Sequence, residues 1–142
     1  MSQAIGGEME YGRLKRSAII GYAAIFAWNG VVGGYMIISS QNSFGWVALV
    51  LGIGVLTLPF IPAVRGYVEI LAANRAFPAL VFIPNILIIL MFAYLASIYI
   101  GDPYLAYNEL ETLAGVVFGG AALLAAATLL VNTIAYLMDR RT

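Results

Sequence analysis

Long runs of apolar residues, separated by short polar connections, dominate the pattern of the chain. A helix that crosses a membrane needs about 20 mainly apolar residues. Four runs reach roughly that length, and none of them contains Asp, Glu, Lys or Arg: 17–40, 46–64, 79–100 and 113–138. The pattern therefore predicts four membrane-spanning helices, and the short connections between them make consecutive helices antiparallel neighbours.

The segment between the second and third runs, 65–75, has a different character, because it contains three charged residues among apolar ones. Arg65 and Glu69 are spaced to form an ion pair along one helix. Pro59 and Pro62 lack the backbone N–H that a helix uses, so they should bend the end of the second span. The segment predicts a short interfacial helix, and a cytoplasmic extension of the second span is the alternative.

Composition agrees with a protein that lies in a bilayer. Hydrophobic residues make up 63% of the 142 residues, and charged residues make up 10%. Soluble domains carry about 25% charged residues. Mean hydropathy is +0.95. Together with the four apolar runs, these values predict a single all-α membrane domain over the whole chain. Its expected architecture is a four-transmembrane-helix antiparallel bundle. They exclude a nucleic-acid-binding protein and an ordinary cytosolic enzyme.

All seven basic residues fall on one side of the predicted bundle. They precede the first span, separate the second from the third, or follow the fourth: Arg13, Lys15, Arg16, Arg65, Arg75, Arg140 and Arg141. Loops rich in Lys and Arg stay in the cytoplasm. The distribution therefore predicts a multi-pass protein whose N-terminal segment, 1–16, and C-terminus are both cytoplasmic.

Small residues at four-residue spacing mark candidate faces for helix packing. Membrane helices associate through close contacts and interhelical hydrogen bonds, since lipid tails are as apolar as leucine. Residues of this kind occur in the first and fourth spans: Gly30, Gly34, Gly115, Gly119, Ala122 and Ala126. The second span offers Ala48 and Gly52. We expect the first and fourth spans to present close-contact faces.

A few polar residues interrupt the apolar runs. They are the intramembrane amides and threonines Asn29, Thr57, Asn85, Thr128 and Asn132. A polar group in hydrocarbon is costly unless it is paired, so these side chains predict hydrogen bonds between helices. Asn85 and Asn132 lie at similar depths by residue counting and are candidates to bond to each other. The alternative is that the polar residues line a pathway or a ligand site.

The chain lacks the residues that most catalytic and redox chemistry uses. It contains no cysteine and no histidine. Histidine is the usual general base near neutral pH and the commonest metal ligand. We find no candidate catalytic residues, metal ligands or cofactor ligands, so the sequence predicts a protein that is not an enzyme.

Elimination leaves three hypotheses for function. The favoured one is a non-catalytic accessory subunit of a larger membrane complex, such as an energy-transducing electron-transport complex. Its partners would be other membrane subunits and bound lipid, with no nucleic acid. The second hypothesis is a homo-oligomeric channel or solute carrier, and the third is a structural protein of a viral envelope or coat.

Overall fold

The computed structural model describes residues 11–39, 41–101 and 109–141, and every regular element within them is helical. Residues 1–10 of the predicted N-terminal segment, 40 at the end of the first predicted span, 102–108 between the third and fourth predicted spans, and 142 lie outside the described residues. A 3₁₀ turn, Leu58–Phe60, separates the second and third of five α-helices: α1 (Gly12–Ser39), α2 (Gly45–Val55), α3 (Pro62–Ala72), α4 (Phe77–Gly101) and α5 (Glu109–Arg141).

The long helices agree with the predicted spans and extend beyond them. Three are long and apolar enough to cross a membrane: Gly12–Ser39, Phe77–Ile98 and Gly115–Arg141. The pair Gly45–Phe60 and Pro62–Ala72 provides a fourth crossing if its two parts, bent by 63°, are counted as one span. The described residues therefore have three to four candidate spans, as expected of a multi-pass membrane protein.

The second predicted span, 46–64, is not a continuous helix. α2 ends at Val55, and α3 begins at Pro62 after the 3₁₀ turn. Pro59 lies within that turn, while Pro62 stands at the first position of α3, where its missing N–H costs nothing. The predicted bend is present, but the short helix begins at residue 62, three residues earlier than expected.

Three helix pairs make the extensive contacts within the described chain: α1 with α2, α1 with α5, and α4 with α5. The spatial order is therefore α2–α1–α5–α4. The second and third predicted spans are not neighbours, contrary to the expectation from their short connection, because α1 and α5 pack between α2 and α4. The α1–α5 pair is antiparallel, because Gly21 lies against Thr128 while Trp28, further along α1, bonds Val117. Asn85 and Asn132 give the same relation for α4 and α5, with Phe92 stacked on Phe118.

Glycine permits the close approach of α1 and α2. A Cβ atom built on Gly30 would lie 2.5 Å from the Cα of Gly52, and one built on Gly34 would lie 2.7 Å from the carbonyl oxygen of Gly45. Real Cβ atoms do not approach backbone that closely. Gly30 and Gly34 therefore lie where the backbones of α1 and α2 come into close contact.

The stripe predicted on the last helix is not the face that packs within the described chain. A Cβ built on Gly119 would meet nothing within 4 Å, and Ala126 is exposed, although Gly115 is buried and Ala122 half-buried. The buried face of α5 instead carries Ala121 and Ala125, both 0% exposed, with other residues of the same row: Val117, Thr128, Asn132, Ala135 and Asp139. Both rows consist largely of small residues, and the buried row is the one that carries the polar side chains.

The hydrophobic core lies at the end of the molecule that carries the basic residues. Leu14, Phe77 and Ala135 meet there with Ala72 of α3. Rings surround them, including Tyr136, whose centroid lies 6.2 Å from that of Tyr11 and 5.8 Å from that of Phe82. The start of α1, the end of α3, the start of α4 and the end of α5 are therefore joined at one end.

Candidate functional site

A chain of hydrogen bonds joins three helices beside the core. The Ser17 hydroxyl donates to Oδ1 of Asn132 at 2.7 Å, and Nδ2 of Asn132 donates to Oδ1 of Asn85 at 3.0 Å. Nδ2 of Asn85 donates in turn to the carbonyl oxygen of Ala125 at 2.9 Å. The predicted bond between the two amides is confirmed.

The two amides of this hydrogen-bonded chain lie inside the protein and are not hydrated. Asn85 and Asn132 are both 0% exposed. Each amide uses its oxygen as an acceptor and its nitrogen as a donor, so the desolvation cost of both groups is offset inside the protein. The arrangement supports the interpretation that these residues tie helices together.

The remaining predicted polar residues do not join this network. Asn29 donates from Nδ2 to the carbonyl oxygen of Ile25, one turn earlier in the same helix. Thr57 is exposed, and its hydroxyl donates to the carbonyl oxygen of Gly54. Thr128 is 7% exposed and fills the space beside Gly21, where a Cβ atom would collide with it.

Two aromatic side chains make interhelical bonds that the sequence analysis missed. The Tyr22 hydroxyl donates to the carbonyl oxygen of Val81 at 2.6 Å and joins α1 to α4. Trp28 donates from Nε1 to the carbonyl oxygen of Val117 at 2.8 Å. For Trp28 the available signal was its position near the middle of the predicted span 17–40, because a ring with one polar atom needs a partner there.

Asp139 makes a further interhelical contact that the sequence did not indicate. It is 5% exposed, and its carboxylate accepts hydrogen bonds from the backbone N–H groups of Arg13 and Leu14 at 3.1 and 2.9 Å. These N–H groups belong to the first turn of α1 and have no partner within the helix. A carboxylate from the end of α5 therefore caps the start of α1.

The ion pair of Glu69 also differs from the prediction. Its Oε1 lies 3.1 Å from Nζ of Lys15, whereas the sequence spacing favoured Arg65 as its partner. Lys15 is 17% exposed and Glu69 is 67% exposed. The pair therefore connects α3 to the start of α1. A half-buried ammonium gains more interaction free energy from a carboxylate than an exposed guanidinium does, which favours Lys15 over Arg65 as the partner.

A cavity with basic walls lies between the start of α1, the 3₁₀ turn and α3. Its volume is about 320 Å³. We call it the basic cavity, and its lining is Lys15, Arg16, Ile19, Pro59, Arg65, Val68 and Glu69. It combines three cationic side chains with one carboxylate, at the end of the molecule where the basic residues gather.

A second cavity, with apolar walls, adjoins the first and shares three of its lining residues, Lys15, Ile19 and Val68. We call it the apolar cavity. Its volume is about 290 Å³, and side chains of α1, α2, the 3₁₀ turn, α3 and α4 line it. Along α1 its lining extends from Lys15 to Phe26.

Among the residues that the structure describes, no three His, Cys, Asp or Glu side chains are grouped so that they could hold a metal ion. Comparison of the chain with models of protein families, with curated proteins and with solved structures finds no match. The features that bear on function are the interhelical hydrogen bonds, the small residues of α5 that no described helix covers, and the two adjoining cavities.

Proposed function

We propose that the chain is a non-catalytic accessory subunit of a larger membrane complex. The observation that carries the proposal is the position of Gly119 and Ala126 on α5. A leucine-rich surface suffices against lipid, whereas small residues at helical spacing allow the backbone of another helix to approach closely. Gly119 meets nothing within 4 Å in this chain, so that face is available to a helix of another subunit.

The use of the polar side chains also supports an accessory role over a channel or carrier. A pathway needs polar groups that face water, and intramembrane pathways usually carry ionisable residues. Asn85 and Asn132 are fully buried and bonded to each other, and Asn29 bonds its own helix. The amides that would line a pathway therefore already have partners, across helices for Asn85 and Asn132 and within α1 for Asn29.

The proposal includes the arrangement in the membrane. α1, α2 with the 3₁₀ turn, α4 and α5 each cross the bilayer, and α3 lies at its surface as a short interfacial helix. The seven basic residues share one end of this antiparallel arrangement, so that end, with both termini, faces the cytoplasm.

The test is purification of the tagged full-length chain from its native membranes in a mild detergent, without crosslinking. We expect unlike membrane subunits at a fixed stoichiometry in one particle. Gly119→Leu should reduce their recovery, because the added side chain fills the face that the partner helix would occupy. Gly33→Leu is the matched control, since a Cβ on Gly33 also meets nothing within 4 Å.

The competing outcomes are distinct. A particle that contains copies of this chain alone would refute the accessory role and favour the channel or carrier, and a self-assembled lattice would favour a coat protein. Equal recovery of partners with Gly119→Leu and Gly33→Leu would show that the α5 face is not the docking surface.

A further inference from the structure

The basic and apolar cavities together have the form of a lipid site, with a charged compartment at the membrane surface and an apolar compartment inside it. We propose that they bind one anionic phospholipid, with its phosphate in the basic cavity and an acyl chain in the apolar cavity. The bound lipid that the sequence led us to expect thereby receives a defined site and a defined headgroup charge.

The headgroup compartment has the charge that a phosphate requires. Lys15, Arg16 and Arg65 face one carboxylate, Glu69, which leaves a net of two positive charges. Arg16 and Arg65 are exposed, and a guanidinium can form two parallel hydrogen bonds with a phosphate. Basic pockets between membrane helices on the cytoplasmic side are typical sites for anionic headgroups.

The acyl compartment has the length of one leaflet. Its lining on α1 runs from Lys15 to Phe26, which corresponds to about 16 Å at 1.5 Å per residue. Half of a hydrocarbon core of about 30 Å is about 15 Å. A chain that starts beside the Lys15 ammonium would therefore lie along α1 to about the mid-plane of the bilayer.

The continuity of the two cavities favours a lipid over free phosphate. Lys15, Ile19 and Val68 line both, so a ligand in the basic cavity is in direct contact with the apolar one. Inorganic phosphate would leave the apolar compartment empty. A diacyl phospholipid would place its phosphate among the basic side chains and pack an acyl chain against the helices that line the apolar cavity.

Native mass spectrometry of the purified full-length protein in mild detergent tests the proposal. The probes are phosphatidylglycerol, phosphatidylcholine with the same acyl chains, and inorganic phosphate. We expect the first phosphatidylglycerol adduct to reach half-saturation at a concentration at least about tenfold lower than that of phosphatidylcholine. Arg65→Gln should weaken phosphatidylglycerol binding about fivefold, and Arg65→Lys should restore most of it.

Matched variants separate the site from the general charge of this end. Arg75→Gln removes the same charge from an exposed arginine that does not line either cavity, and it should leave binding within about twofold of the wild type. Val55→Trp should weaken binding of both lipids, because Val55 lines the apolar cavity. Val50→Trp, on the exposed side of α2, should not.

Three results would overturn the proposal. Equal half-saturation for the two lipids would remove the role of the basic cavity. If Arg65→Gln and Arg75→Gln weaken phosphatidylglycerol binding equally, the preference for the anionic lipid comes from the overall positive charge of this end and not from the basic cavity. Displacement of phosphatidylglycerol by inorganic phosphate at comparable concentration would assign the site to free phosphate.

Discussion

The hydrogen bond between Asn85 and Asn132 should be measurable as a coupling free energy. Hydrogen bonds between membrane helices contribute about 0.6 kcal/mol on average and about 2 kcal/mol at most. Asn132→Ala removes two of them, to Ser17 and to Asn85, and leaves a fully buried oxygen of Asn85 without its donor. We expect this substitution to lower the free energy of unfolding by about 1–3 kcal/mol.

The assay is reversible unfolding of the purified protein in mixed micelles with increasing sodium dodecyl sulfate. The emission of Trp28 reports the separation of α1 from α5, because its indole N–H bonds the carbonyl oxygen of Val117. A Trp46→Phe background removes the second tryptophan. The double-mutant cycle of Asn85→Ala and Asn132→Ala should give a coupling of about 0.6–2 kcal/mol.

Asn29→Ala is the matched control, because it removes an amide of the same type from an apolar helix. The amide of Asn29 bonds a carbonyl oxygen of its own helix, so the loss should stay within about 0.5 kcal/mol. The proposed contribution of the Asn85–Asn132 bond is refuted if Asn132→Ala lowers the free energy of unfolding no more than Asn29→Ala does. It is also refuted if the losses of the Asn85→Ala and Asn132→Ala single variants simply add in the double variant.

Three further predictions concern helix packing, capping and orientation. Gly30→Ala should destabilise the protein by about 1–3 kcal/mol because its Cβ meets the backbone of α2, whereas Gly33→Ala should be neutral, as the same unfolding assay would show. Asp139→Ala should cost about 0.5–2 kcal/mol through loss of the cap of α1, and an unchanged stability would contradict that role. A cysteine that replaces Asn42 should react with an impermeant thiol reagent from outside the cell, and one that replaces Ala73 should not. The reverse labelling would contradict the topology.

The features that depend on long or repeated patterns were predictable from the sequence. The apolar runs that form α1, α4 and α5 are long enough for composition alone to indicate helices that can span a membrane. The bond between Asn85 and Asn132 followed from depth, since two costly amides at one level in adjacent helices have few other partners. Gly30 and Gly34 were identified because close backbone contact requires residues with no side chain.

Features that depend on how the helices approach one another were not predictable in the same way. α5 is rich in small residues on more than one side, so spacing alone did not distinguish the row through Gly119 from the buried row through Ala121 and Ala125. Thr128 and Asn132 decide between the two rows, because both lie on the row through Ala121 and Ala125. Burial of this row brings Asn132 to its hydrogen-bond partners and packs Thr128 against Gly21. The cap by Asp139 depends on a helix start that is distant in sequence.

The break in the second span explains why the two cavities exist. The stretch from Gly45 to Phe60 rises about 24 Å, which is close enough to a hydrocarbon thickness of about 30 Å for the bilayer to accommodate by local thinning. The chain turns by 63° at this point, and α3 then contacts α1. Pro59 at the turn and Val68 on α3 both line the basic cavity. The turn that contains Pro59 therefore forms one wall of the compartment in which we place the lipid headgroup.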